Sequence, residues 1–132
     1  MAFDYREFEK LYKGYKAVAE ELEEWLINFL LENAQWTLGR TKDRTPVDTG
    51  YLKKRWRITN VYRLATSGSL GFALINDADY SSYVELGHTT RNREGWVEGY
   101  YMLTISMAEL EKRLPRRFTL EFNKLLAEHG VL

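Results

Sequence analysis

In Glu85-Leu86-Gly87-His88 a carboxylate and an imidazole lie close in the chain, with Asp77 and Asp79 just upstream. Such residues could hold a hard cation or zinc, or pass a proton. Zinc needs three or four ligands held in place. A paired-histidine motif is missing, and the second histidine, His129, stands at the far end of the chain. These four residues read instead as a strand-end glutamate, a loop histidine and an Asp-rich turn, and no metal site is expected. Ser81, Ser82 and Ser106 supply nucleophile types, but no spacing joins them to a base and an orienting group. Gly68-Ser69-Leu70-Gly71 lacks the Lys and the following helix of a phosphate loop. The chain is therefore expected not to be an enzyme, with no catalytic residue and no cofactor.

The other candidate chemistry is ionic. Lys53-Lys54-Arg55-Trp56-Arg57 interleaves bases with a ring, as nucleic-acid surfaces do, and Arg40, Lys42 and Arg44 lie nearby in sequence. The whole chain nevertheless balances 19 Lys and Arg against 19 Asp and Glu, which suits tight non-specific DNA binding poorly. The charge is segregated. Residues 1–36 carry eight acids and four bases, whereas residues 37–57 carry seven bases against Asp43 and Asp48. A protein with one acidic and one basic face can pair head-to-tail with copies of itself. Nucleic-acid binding by the Lys53–Arg57 cluster stands as the alternative reading.

The elements that position these groups follow from periodicity. Apolar residues from Phe8 to Trp36 recur at steps of three and four, which predicts one long helix over residues 4–43. Asp4 is the expected N-cap, with Glu7 as its capping-box partner. Gly14 and Gly39 are its expected weak points, and part of so long a helix is expected to project, break or pack on a neighbouring subunit. Pro46 ends the helical region, and Asp48-Thr49-Gly50 is turn chemistry. Residues 55–66 and 70–76 predict two strands about a Ser67-Gly68-Ser69 turn. Tyr80–Leu86 fits a third strand or a short helical turn. Gly87–Gly99 reads as a polar, Gly-punctuated loop, with Trp96-Val97 as a last short strand or an anchor. Residues 100–129 predict a second helix, kinked or restarted at Pro115 and stopped by Gly130. The expected fold is a single α+β domain over residues 1–132. Its long N-terminal helix (1–44) and its C-terminal helix (100–132) pack on one face of a small antiparallel β-sheet, with sheet and loop in 45–99.

With no cysteine, a disulfide framework and a thiolate zinc site are excluded. Met1–Lys10 holds acids and no long apolar run, so no signal peptide is expected, and no stretch approaches the roughly 20 apolar residues of a membrane span. The aromatic share of 14% is high enough for some rings to serve an interface.

Thr45-Pro46-Val47-Asp48-Thr49-Gly50-Tyr51-Leu52-Lys53-Lys54-Arg55-Trp56 resembles a motif of the tail-component family of tailed phages, described as head–tail joining, neck or tail-completion proteins. The later family segments are matched by Tyr80-Ser81-Ser82-Tyr83-Val84-Glu85-Leu86-Gly87-His88 and by Trp96-Val97-Glu98-Gly99-Tyr100-Tyr101-Met102-Leu103, in order and spacing over residues 5–128. Two features depart from the pattern: Gly95–Gly99 lacks the family's proline-rich turn, and Pro115 sits in the second helix. The resemblance implies a non-enzymatic virion protein at the head–tail junction or the proximal tail end. It implies a self-assembled ring, hexameric on a sixfold tail, through which DNA could pass. Its neighbours would be connector or neck proteins and tail-tube or tail-terminator proteins. A head-to-tail interface that closes makes such a ring. The protein-interface candidates are Lys53, Lys54, Arg55, Trp56, Glu85, His88, Arg91, Arg93 and Trp96, with the 87–99 loop ordering on docking.

Overall fold

The structure is a computed structural model that describes residues 5–47 and 50–132. The predicted long helix is α1, Tyr5–Asp43, 39 residues and about 58 Å at 1.5 Å per residue. It runs unbroken through both Gly14 and Gly39. The N-cap assigned to Asp4, and the Asp48-Thr49 part of the expected turn, lie outside the described residues. The last turns of α1 carry a buried polar ladder. Asn33 Nδ2 donates to the Phe29 carbonyl, and the hydroxyls of Thr37, Thr41 and Thr45 each donate to the carbonyl four residues earlier, all at 2.8 Å. The three threonine hydroxyls satisfy themselves locally and so tolerate burial, whereas Asn33 Oδ1 is buried with no hydrogen-bond partner among the described residues.

Short side chains let a second helix approach closely. This is the C-terminal helix, Met102–Glu128, here α4, since two short helices precede it: α2 (Tyr51–Lys54) and α3 (Ser81–Leu86). It runs antiparallel to α1, and Met102 and Ser106 are fully buried at its start. Trp25 and Phe29 of α1 interlock with Phe118 and Phe122 of α4 at ring-centroid distances of 5.3–5.7 Å. Pro115 lies inside α4 and opens no new segment. The helix closes as a Schellman motif: Gly130 at φ 71° places its N–H on the Ala127 carbonyl and the Val131 N–H on the Leu126 carbonyl.

The Gly14 contact explains why a glycine stands inside α1. A Cβ there would run into the His129 carbonyl oxygen and stand 2.9 Å from Val131 Cγ2. Gly39 has nothing within 4 Å of the same atom. Opposite outcomes are expected in thermal or denaturant unfolding. Gly39→Ala should stabilise by about 0.5–1 kcal/mol through helix propensity. Gly14→Ala should destabilise by about 1–3 kcal/mol, because the backbone of the α4 terminus must shift.

The α+β class holds, with the sheet divided into three two-stranded antiparallel pieces. In chain order the strands are β1 (Trp56–Ile58), β2 (Tyr62–Arg63), β3 (Leu70–Gly71), β4 (Leu74–Asn76), β5 (Gly87–Thr89) and β6 (Trp96–Glu98). β1 pairs with β4 and β2 with β3, so residues 56–76 make one hairpin as predicted. It is interrupted because three residues (59–61) oppose two (72–73). The Thr59 hydroxyl accepts the Ala73 N–H at 2.9 Å in place of a ladder carbonyl. Tyr80–Leu86, left open between strand and helical turn, forms α3. Residues 87–99, expected as a loop with Trp96-Val97 as a last short strand or an anchor, form the β5–β6 hairpin, in which Trp96-Val97 is indeed strand. Its tip is tied by Thr90 N to Gly95 O (2.9 Å), Gly95 N to Thr90 Oγ1 (3.0 Å) and Glu94 N to Asn92 Oδ1 (3.1 Å). The buried core of Leu52, Trp56, Ala78 and Met102, flanked by Leu38, Leu74, Val84 and Leu103, sits where the end of α1 meets the start of α4.

Candidate interaction surface

The signature residues first build this end of the molecule. Thr45 Oγ1 accepts the indole N–H of Trp56 at 2.8 Å while donating to the Thr41 carbonyl. Gly50, at φ 78°, turns the chain into α2 in a conformation that favours glycine. Asn76 Nδ2 donates to the Leu52 carbonyl at 2.9 Å and binds the hairpin to α2. Glu85 fastens α3 to α4: its carboxylate accepts the N–H groups of Leu103 (2.9 Å) and Thr104 (2.8 Å) and the Thr104 hydroxyl (2.7 Å). A carboxylate at a helix N-terminus satisfies free amides and complements the helix dipole. It replaces a local cap, because Tyr101, at φ 50°, makes no side-chain capping bond. Gly87 and Gly99 let the β5–β6 hairpin fold back closely. A Cβ on Gly87 (φ 88°) would stand 2.6 Å from the Val97 carbonyl oxygen, and one on Gly99 would meet only backbone.

On this frame lies an aromatic surface. Tyr51 stacks on Tyr80 at 6.2 Å, and the Arg55 guanidinium sits 5.0 Å over the Tyr51 ring while pairing with Asp77 at 3.1 Å. A cleft of about 410 Å³ opens among Pro46, Val47, Tyr51, Tyr80, Val84 and Tyr100. A second hollow of about 400 Å³ adjoins it, lined by Tyr80, Tyr83, Val84, His88 and Thr89. The edge of His88 meets Tyr83 at 5.8 Å, and His88 Nδ1 is buried with no hydrogen-bond partner among the described residues. Tyr51, Tyr80, Tyr83, Leu86, Trp96 and Tyr100 are all exposed, Trp96 by 57%.

The sequence-derived interface candidates are distributed as follows. Trp96, Arg91 and Arg93 are exposed on the β5–β6 hairpin, and Lys54 and Arg55 are exposed at the end of α2. Lys53 and His88 are half-buried. Trp56 is not on the surface: only 5% exposed, its ring is core. Both Glu85 carboxylate oxygens are engaged on α4, away from any metal-binding geometry. Sequence reasoning missed Tyr51, Tyr80, Tyr83 and Tyr100. For the last three the signal was the tyrosine density of the 80–101 segment, and for Tyr51 its place in the 45–56 motif; periodicity turns neither into a surface.

The bases of the 40–57 segment also divide. Arg40 (2.8 Å) and Arg44 both pair with Glu109 of α4, and Arg44 donates to the buried Ser106 hydroxyl at 2.9 Å. The hydrogen bond from Arg40, with Arg44 beside it, holds the Glu109 carboxyl below the usual carboxylate range against a smaller opposing effect of burial; the same bond raises Arg40. A carboxylate lowered by folding stabilises the fold above its unfolded pKa, and that stability is lost as pH falls through the lowered folded value. Glu109→Gln is therefore expected to shrink the drop in Tm between about pH 7 and about pH 3. An unchanged drop would mean that the clamp is not linked to folding. Lys53, Lys54 and Arg57 have no ion-pair partner among the described residues.

No helix among the described residues is long and apolar enough to cross a membrane. No curated protein and no solved structure matches the chain. A family model does match, over residues 9–87, and it is described as "Bacteriophage HK97-gp10, putative tail-component". The matched stretch runs from α1 through the α2 turn and the first hairpin to Glu85 and Gly87; Trp96 and Tyr100 of the aromatic end lie beyond it. The chain belongs to the HK97-gp10-like family of bacteriophage tail components.

Proposed function

We propose that this structural phage tail protein joins or completes the tail at the head–tail neck, as a ring of subunits in the virion. The observation that carries the reading is the exposed tyrosine surface built on the family signature. Its rings bury large area at little entropic cost and keep a polar edge, and Lys53, Lys54, Arg57, Arg91 and Arg93 lie on the same segments. A surface of this kind fits a protein neighbour in the connector or tail tube. The ring is hexameric on a sixfold tail, and DNA passes through its lumen.

Cross-linking mass spectrometry of intact particles tests this. Links from the 51–57 and 80–100 segments to connector and proximal-tail proteins are expected. Links confined to capsid faces or the distal tail tip would overturn the assignment. Lys53, Lys54 and Arg57, which have no ion-pair partner among the described residues, favour a second reading, direct DNA contact. It requires a salt-sensitive mobility shift that Lys53→Glu with Arg57→Glu abolishes, and no shift at low salt would eliminate it.

A further inference from the structure

One face of α4 carries a cluster of bases. Lys112, Arg113, Arg116 and Arg117 stand as two pairs on successive turns, about 6 Å apart along the helix axis. With Glu109, and with Trp36 of α1, they line an open hollow of about 440 Å³. It lies about 15 Å along α4 from Met102 and so stands apart from the aromatic end. Glu109, the one acid in its lining, is taken by Arg40 and Arg44. Arg117 pairs with Glu121 at 2.9 Å and stands 3.9 Å from Glu32. Lys112, Arg113 and Arg116 have no ion-pair partner among the described residues. Arg113 is nevertheless held in place. Its guanidinium lies 4.4 Å from the centroid of the Trp36 ring, and that of Arg40 lies 5.9 Å from the same ring. The Arg113 Nε is buried with no hydrogen-bond partner among the described residues, so no protein oxygen has claimed that donor. A guanidinium stacked on an indole keeps its charge and its fork of donors for an oxyanion.

The lining also says what kind of anion fits. A protein neighbour is held by a desolvated apolar centre, and this hollow has none: its one ring, Trp36, is half-buried against Arg113. Three cations without ion-pair partners would have to be dried to seat such a neighbour. Against a phosphate backbone they stay in the wet, positively charged kind of interface that nucleic acids make, and they release counterions. A single strand would need rings on which its bases stack, and the hollow offers none free. We propose that this face of α4 binds the phosphate backbone of double-stranded DNA without reading its sequence. Arg113 is the fixed fork, and Lys112 and Arg116 are flanking point charges. The site is separate from the Lys53–Arg57 cluster and does not depend on where the protein sits in the particle. With zero net charge on the chain, this local cluster carries the contact, which is weak and steeply dependent on salt.

Fluorescence anisotropy with a labelled duplex of about 20 base pairs tests this. Three neutralised phosphates give a slope of log K against log salt of about −3, roughly fortyfold between about 50 and about 200 mM. Lys112→Gln with Arg116→Gln, both exposed positions, should bring the slope to about −1 while circular dichroism stays that of the wild type. Arg113→Lys keeps the charge but loses the fork and the stack, so affinity should fall several-fold at a nearly unchanged slope. Lys10→Gln with Lys13→Gln removes the same charge from exposed positions of α1 and should bind as the wild type does. No binding at the lowest salt would overturn the proposal. So would equal weakening by the α1 pair, or binding that survives the α4 pair and is lost on Lys53→Glu with Arg57→Glu. Poly-L-glutamate that displaces the label as well as unlabelled duplex does would also overturn it and assign the hollow to an acidic protein. Failure here leaves the particle cross-linking test untouched.

Discussion

Replacing Trp56 with alanine is expected to lower unfolding stability by about 3–5 kcal/mol, the range for removing a large buried ring. Trp56 is 5% exposed and packs with Leu52, Ala78 and Met102, so truncation opens a cavity where α1, α2, β1 and α4 meet. It also orphans the Thr45 hydroxyl as an acceptor, although that hydroxyl still donates to Thr41. Trp56→Phe is the milder change. It keeps one aromatic ring in the core but removes the N–H together with the rest of the pyrrole ring, so a smaller loss of about 1–3 kcal/mol is expected. Urea unfolding followed by circular dichroism measures both. If Trp56→Ala left the midpoint unchanged while weakening partner binding, the ring would belong to the interface and its place in the core would be wrong. Lys53→Glu and Lys54→Glu provide the contrast. Substitutions on a solvated face should move stability within about ±0.5 kcal/mol.

Replacing Glu85 with alanine is expected to cost about 2–3 kcal/mol, a large effect for a side chain that is not fully buried. It removes three hydrogen bonds to an ionised acceptor and leaves the Leu103 and Thr104 amides uncapped at a helix end with no side-chain cap of its own. Glu85→Gln should recover part of the loss, because an amide oxygen still accepts but carries no charge for the helix dipole. Amide exchange should localise the damage: protection is expected to fall first at residues 102–105 and in the β5–β6 hairpin. The hairpin depends on the same junction, through Tyr100 N to Val84 O (2.8 Å) and Tyr101 N to Glu85 O (3.0 Å). A loss of partner binding at unchanged stability would instead return Glu85 to the interface.

Both residues were legible in the sequence as part of a motif, and both were read there as surface. The reason is general to short motifs. A sequence shows that a Trp or a Glu recurs in a fixed context; it does not show whether that context is a partner or the protein's own next element. Trp56 alternates with Arg55 and Arg57, so its neighbours point to solvent while it points inward, as strand geometry requires. The basic run looked continuous because charge was counted along the chain. In space, Arg40 and Arg44 belong to the α1–α4 clamp and Arg55 to Asp77.

Local information was enough for the two long helices, the 56–76 hairpin, the Gly130 stop and the family, because helical periodicity, turn glycines and a spaced motif all act within a few residues. The fate of residues 80–99 needed the tertiary structure. Alternation did not decide between strand and helix for Tyr80–Leu86, and the choice is made by Glu85 reaching α4, a contact 18 and 19 residues away in sequence. The polar composition of 87–99 reads as a loop until Gly87 and Gly99 bring its two arms together. Whether an aromatic residue faces the core or the outside is likewise a property of the assembled end: Trp56 is enclosed by three elements, whereas Tyr51, Tyr80 and Tyr100 line a cleft that exists only once α2, α3 and the start of α4 converge.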